Sequence, residues 1–281
     1  MEILRYTAFS TVPDGGNPAG VVLDARGTDD ATMQRVAAEV GYSETAFLLP
    51  GADPGEVAVR YFSPLAEVPF CGHATIASAV AHAERHGPGP LRYATPVGPV
   101  EVRTEVGADG VVTATLVSVP PRTAHLSPVD LDELLDALDW LRDDLHPGLP
   151  PRVAFAGAWH PILVARTRER LAALDYDYDR LAALMAAHGW TTVALVHRES
   201  PTVFHARNPF PPGGVVEDPA TGAAAAALGG YLRELRLVEP PVTITVHQGD
   251  DMGRPSRLLV DLDPGQAAVQ VTGGAVRIPH A

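Results

Sequence analysis

The apolar residues of the first part of the chain come in short runs. EILRYTAF, AGVVLD, ETAFLLP and VAVRYFS are each bounded by Gly, Pro, Asp or Ser, the pattern of strands separated by turns. One helical stretch, DATMQRVAAEVG, lies among them and ends at Gly41, a residue type common just past helix ends. After EVPFCGHATIASAVAHAER, which predicts a helix of small residues closed by His86-Gly87-Pro88, strands resume at LRYATPVGPVEVRTEV and VVTATLVSV, parted by a turn from Gly107 to Gly110.

The pattern then changes and repeats. At Val119-Pro120-Pro121-Arg122 a strand runs into prolines, and VDLDELLDALDWL reads as a helix. RVAFAGA, HPILVAR, TTVALVHR and PTVFHARNPF read as strands, with the helix DRLAALMAAHG among them. An Ala-rich helix begins within PATGAAAAALGGYLRE, and the strands VTITVHQG, RLLVDLD and AVQVTGGAVRI follow it. FCGHATIASAVAHAER and PATGAAAAALGGYLRE are alike: each opens a helix of very small residues at a tight Gly turn, with strands on both sides. Self-similarity at half-chain spacing predicts an α+β protein of two similar domains, residues 1–118 and 119–281, each a curved sheet or barrel around a central helix. A helix so poor in large side chains fits where surrounding backbone comes close, and no charge interrupts the second one before Arg233.

Composition narrows the function. The 281 residues exceed the ~250 at which cores commonly divide, and 46% hydrophobic with 20% charged residues is the balance of a folded globular chain. A net charge of -13 repels phosphate backbones and anionic lipid, and no run of Lys and Arg forms a basic patch, so neither nucleic acid nor membrane is an expected partner. No apolar stretch reaches the ~20 residues that span a bilayer and the N-terminus has no basic leader, which predicts a cytoplasmic protein. The one cysteine, Cys71, excludes an internal disulfide and a metal site made of several thiolates.

The candidate chemistry gathers at the two helix mouths. Helix N-termini carry unpaired N–H groups and partial positive charge, so two of them facing each other across a domain cleft would hold a small carboxylic acid, with Gly72 and Gly222 as points of close backbone approach or as simple turns. Glu217 and Asp218 precede the second mouth, where an acid is a cap, a cleft-facing group, or both. His73 sits at the first mouth, and histidine is the side chain whose proton moves near neutral pH. Glu44, in GYSETAF, lies between a helix end and an apolar strand; it is either a partly desolvated general acid or base or half of a solvent-facing Ser43-Glu44 turn. Cys71 and His73 stand only two apart with no orienting group evident, which disfavours a Cys–His nucleophilic pair, and Cys71 reads as a small buried residue.

Taken together, GNPAGVVLD (16–24), YSETAF (42–47), FSPLAEVPFCGHATIASA (62–79), ARNPF (206–210), VVEDPATGAAAAALGGYL (215–232) and HQGDDMGRPSRL (247–258) resemble, in that order, the PhzF-like phenazine biosynthesis proteins, a branch of the diaminopimelate-epimerase-like fold. The resemblance implies an active site in the cleft between two barrels, a C-terminal strand that returns to the first domain, a homodimer, and no metal or organic cofactor. It implies an isomerase of the type that acts on trans-2,3-dihydro-3-hydroxyanthranilate, moving a proton within a small carboxylate-bearing molecule. By motif the shuttle glutamate falls on Glu44, with His73 and Asp218 as the other catalytic groups. Substrate binding falls on Ser43 and on the backbone amides of Gly72, His73, Gly222 and Ala223, and Glu217 is left structural. Ala223 stands where the family has Ser, which removes a hydroxyl from the second mouth and questions the standard substrate. The other readings are epimerisation at an α-carbon, with Glu44 as one base and Asp218 or His73 as the second, and a non-catalytic ligand-binding protein of the same fold. A two-thiol racemase is excluded by the single cysteine.

Overall fold

The computed structural model describes residues 1–53 and 55–279. It divides into two units, one formed by Met1–Val117 with Thr272 onward, the other by Ser118–Val271.

In the first unit, β1 (Leu4–Ala8) pairs antiparallel with β2 (Asn17–Val22). The chain then crosses through α1 (Asp30–Val40) so that β3 (Glu44–Pro50) lies parallel to β2, with Ala19 opposite Glu44. This helix buries one stripe, Met33, Val36, Ala37 and Val40, against Phe47 and Phe62. It starts where Asp29 accepts a hydrogen bond from the Thr32 N–H and stops at Gly41, whose φ of 73° a side chain would disfavour. β4 (Glu56–Phe62) follows antiparallel to β3, and the two-residue β5 (Glu67–Val68) folds back on it. Then α2 (Gly72–His86) carries the chain over to β6 (Pro90–Thr95), parallel to β4. β7 (Gly98–Val106) and β8 (Val112–Val117) continue as antiparallel hairpins. The final strand, Gln270–Arg277, pairs with both β8 and β1 and closes the sheet into a barrel. The helix α2 is its core: every residue from His73 to Ala81 is buried, which only small side chains permit in so narrow a ring.

The second unit repeats the scheme. β9 (Arg122–His125), β10 (Arg152–Phe155) and β11 (Trp159–Ala165) are successive antiparallel neighbours, the first two separated in sequence by α3 (Pro128–Leu138). The helices α4 (Arg168–Ala172) and α5 (Tyr178–His188) lead to β12 (Ala194–Arg198), parallel to β11. α3 and α5 bury Leu131, Leu134, Leu138, Leu181 and Met185 with Trp140 and Trp190 in a second apolar cluster. β13 (Val203–Pro209) is followed by the two-residue β14 (Glu217–Asp218), then by α6 (Gly222–Glu234), then by β15 (Val242–Gln248) parallel to β13, and by β16 (Ser256–Leu262). The sheet packs on α6 from both of its ends, through β9, β10 and β16. The likeness of the two helical segments in the sequence is thus topological. In each unit a strand, a two-residue return and a buried small-residue helix form the crossover to the next parallel strand.

Candidate active site

Each crossover delivers its chemistry to the mouth of its helix. In the first unit Cys71 takes the N-cap position of α2 in extended conformation, with φ -146° and ψ 115°. Two hydrogen bonds fix that corner: the Thr75 N–H and the Thr75 hydroxyl both donate to the Cys71 carbonyl, at 3.0 and 2.7 Å. The buried Tyr61 hydroxyl in turn lies 2.6 Å from Thr75 Oγ1. His73, one turn position further, is therefore held by the helix rather than by a mobile loop.

Four side chains meet around the imidazole. Asn17, at the start of β2, places Nδ2 3.1 Å from His73 Nδ1. An amide N–H there makes Nδ1 the acceptor and leaves the ring proton on Nε2. Glu44, the first residue of β3, places Oε2 3.3 Å from His73 Nε2, and Ser43 Oγ is also 3.3 Å from that nitrogen. Cys71 Sγ lies 3.5 Å from Glu44 Oε2 and 3.4 Å from His73 Nδ1. The side chains of His73 and Glu44 are 7% and 14% exposed, so the pair is largely withdrawn from water without being sealed. A carboxylate and an imidazole in this contact can hold one proton between them and release it on either side. The sequence argument that Cys71 and His73 lack an orienting group does not hold, because Asn17 supplies one from a different strand.

Gly72 has neither a left-handed φ nor a crowded neighbourhood: a Cβ built on it meets nothing within 4 Å. Neither turn geometry nor packing among the described residues demands glycine there, and the space a side chain would take is open.

In the second unit Asp218 belongs to β14, opposite Asn208 of β13, and Thr221 takes the N-cap position of α6. The Thr221 hydroxyl donates to Asp218 Oδ2 at 2.6 Å. Gln248, buried at the end of β15, clamps the turn: its Nε2 donates to the Asp218 carbonyl at 2.7 Å and its Oε1 accepts from the Thr221 N–H at 3.1 Å. Glu217 accepts hydrogen bonds from Nε and Nη2 of the buried Arg207 guanidinium, whose Nη1 donates to the Ala172 carbonyl at 2.6 Å. That is the structural role expected for Glu217. Gly222 and Ala223 form the first turn of α6.

Asn17 and Gln248 were not singled out in the sequence. Both sit inside quoted motifs, GNPAG and HQG, but a lone amide side chain carries no local signal of its partner. Among the described residues Glu44, Cys71 and His73 also form a group with donor atoms close enough for one metal ion. Among the described residues no helix is long and apolar enough to cross a membrane.

The sequence model of the phenazine biosynthesis-like protein family matches residues 6–281. The uncharacterised isomerase YddE of Escherichia coli O157:H7 is 31% identical, covering 100% of this chain and 97% of that protein. The trans-2,3-dihydro-3-hydroxyanthranilate isomerase of Pseudomonas fluorescens is 30% identical, covering 96% of this chain and 94% of that protein. Among solved structures, the phenazine biosynthesis protein of the PhzF family from Bacillus anthracis superposes with a TM-score of 0.87 at 25% identity, over 99% of this chain and 98% of that one.

Proposed function

The chain belongs to the phenazine biosynthesis-like protein family, has the diaminopimelate-epimerase-like fold and is an isomerase; from that premise we propose that Glu44 shuttles a proton within a small, carboxylate-bearing, amino-substituted cyclic or unsaturated metabolite. The observation that supports it most is the contact between Glu44 Oε2 and His73 Nε2 at the N-terminal end of α2, where the space beside Gly72 that a side chain would fill is open. In this reading the Nε2 proton bonds one carboxylate oxygen, and the other oxygen takes a proton from one substrate carbon and returns it to a second. The substrate keeps its atoms and its oxidation state, so no external reductant or oxidant is involved.

The remaining assignments follow the helix mouths. His73 steadies Glu44 through Nε2 during the transfer, Ser43 hydrogen-bonds beside it, and the backbone N–H groups of Gly72 and His73 bind carboxylate. Asp218, steadied by Thr221 and Gln248, is assigned to a polar substituent of the substrate, and the N–H groups of Gly222 and Ala223 to its anionic group. The protein acts as a cytoplasmic homodimer of two such sites, which light scattering checks.

The relative in Pseudomonas fluorescens is named for trans-2,3-dihydro-3-hydroxyanthranilate, and this compound is the first to assay. Ala223 offers no hydroxyl, so binding of that compound is weaker by about 1.5–3 kcal/mol if the missing bond is to a charged group. Chromatographic assay of it and of related amino and cyclic acids, with calorimetric binding to Glu44→Gln, tests the proposal. Conversion by wild type, with binding but no conversion by Glu44→Gln, supports it. Full conversion by Glu44→Gln contradicts it.

A further inference from the structure

A chain of buried hydrogen bonds ends beside Asp218. His160 on β11, Thr192 just ahead of β12 and Asn208 on β13 are each at most 1% exposed. His160 Nδ1 lies 2.8 Å from Thr192 Oγ1, and the Thr192 hydroxyl donates to Asn208 Oδ1 at 3.1 Å. A hydroxyl has one proton to give, so the imidazole proton sits on Nδ1 and points at Thr192, and Nε2 is a bare acceptor. The reverse direction would bury an Nε2–H group with no acceptor, a rarer orphan than a lone pair. Thr192 thus holds the Asn208 carboxamide by its oxygen, and Nδ2 donates to no protein group among the described residues.

Strand register sets what lies next to that N–H2 group. Asn208 and Asp218 are directly opposite in the β13–β14 pair, and side chains so placed share a face with Cβ atoms about 4.5–5.5 Å apart. Their chain neighbours Arg207 and Glu217 pair with each other, on the opposite face by strand alternation. We propose that Asn208 is a further substrate-binding residue: its Nδ2 donates to the oxygen of a substrate hydroxyl, and that hydroxyl donates to the Asp218 carboxylate. A hydroxyl serves both partners at once. An ammonium group only donates and would leave the carboxamide unpaired, while a keto oxygen has no proton for Asp218. His160 and Thr192 are positioning residues, which keep the amide in its donating orientation without touching substrate. This assignment rests on the reading of Asp218 as the partner of a polar substituent, and not on the role of Glu44.

Nitrogen-15 NMR of the histidine side chains reads the relay with no ligand present, with His160→Gln identifying the signal. The His160 proton is expected on Nδ1; a proton on Nε2 would turn the Asn208 oxygen towards Asp218 and overturn the proposal. Calorimetry with 3-hydroxyanthranilate and anthranilate, which differ only in the hydroxyl, reads the contact. Wild type binds the hydroxyl compound about tenfold more tightly, as expected for one to two net hydrogen bonds. Asn208→Ala removes most of that preference, and Thr192→Val, which frees the amide to turn, reduces it. A preference kept in Asn208→Ala but lost in Asp218→Ala leaves Asp218 in place and overturns the role of Asn208. Equal binding of the two compounds by wild type, or binding of neither, overturns the proposal outright. The wild-type measurements stand even where a variant fails to fold. Turnover enters neither reading, so a failure of the Glu44 shuttle would leave both intact.

Discussion

His73 Nε2 lies 3.3 Å from Glu44 Oε2, while the opposite ring nitrogen is held by Asn17 Nδ2 at 3.1 Å. The imidazole is thereby oriented from one strand and presented to a carboxylate on the next, and its proton sits on the side where chemistry is assigned. Asn17→Ala frees the tautomer. Loss of one such hydrogen bond, about 1–1.5 kcal/mol, lowers turnover roughly 5- to 10-fold. Nitrogen-15 shifts of His73 check it: wild type shows the proton on Nε2, and the variant shows a mixture. An unchanged tautomer in the variant would remove Asn17 from the account.

The Arg207–Glu217 pair predicts a different outcome, in stability. Both side chains are almost fully buried, at 10% and 7% exposure. Glu217→Ala leaves the guanidinium charged and unpaired in the interior, which costs about 3–5 kcal/mol. The double variant Arg207→Met, Glu217→Leu loses less, because no charge is stranded. Urea denaturation of the three proteins orders them; a double variant weaker than Glu217→Ala would contradict this reading.

Two helix glycines predict opposite results. A Cβ on Gly230 of α6 would stand 2.3 Å from Pro121 Cβ, so Gly230→Ala destabilises by about 1–3 kcal/mol although alanine is the better helix former by about 1 kcal/mol. A Cβ on Gly72 meets nothing, so Gly72→Ala keeps the wild-type melting temperature. Its effect falls on KM, which rises as the methyl group enters the space assigned to substrate. Thermal melts and initial-rate kinetics separate the two.

His160 gives the protein a pH dependence. The ring is buried on β11, Nδ1 lies 2.8 Å from Thr192 Oγ1, and Nε2 has no hydrogen-bond partner among the described residues. Burial pushes its pKa down from 6.5 to about 4. Between these values the unfolded chain binds the proton and the folded one does not, so stability is complete above pH 6.5 and falls as pH drops towards 4, by about 3 kcal/mol. His160→Gln flattens that slope in denaturation curves at pH 7 and 4.5, whatever its stability at neutral pH. An equal slope in both proteins would rule out His160 as its source.

The elements and the repeat were legible in the chain because they are local. Gly41 ends α1 where the pattern places it, and the small-residue runs at FCGHAT and PATGA open the two buried helices. The stretch LRYATPVGPVEVRTEV, strand-like throughout, is a hairpin turned between Thr95 and Gly98, and the two-residue strands β5 and β14 are too short for any periodicity to reveal. At the site, Glu44 and His73 could be nominated by type and position. Their meeting with Asn17 and Cys71 could not, because it depends on β2 lying beside β3 and on α2 running through the barrel. The clamp of Gln248 on Thr221 likewise spans 27 positions and exists only once β15 lies alongside β13.

The central claim is that Glu44 carries a proton between substrate carbons. Proton NMR in deuterium oxide tests it directly, with wild type and Glu44→Gln incubated with trans-2,3-dihydro-3-hydroxyanthranilate and a set of small amino and cyclic carboxylic acids. The account predicts that wild type converts one of these with deuterium entering at carbon, and that Glu44→Gln binds the same compound without exchange. Equal deuterium incorporation by Glu44→Gln would contradict it.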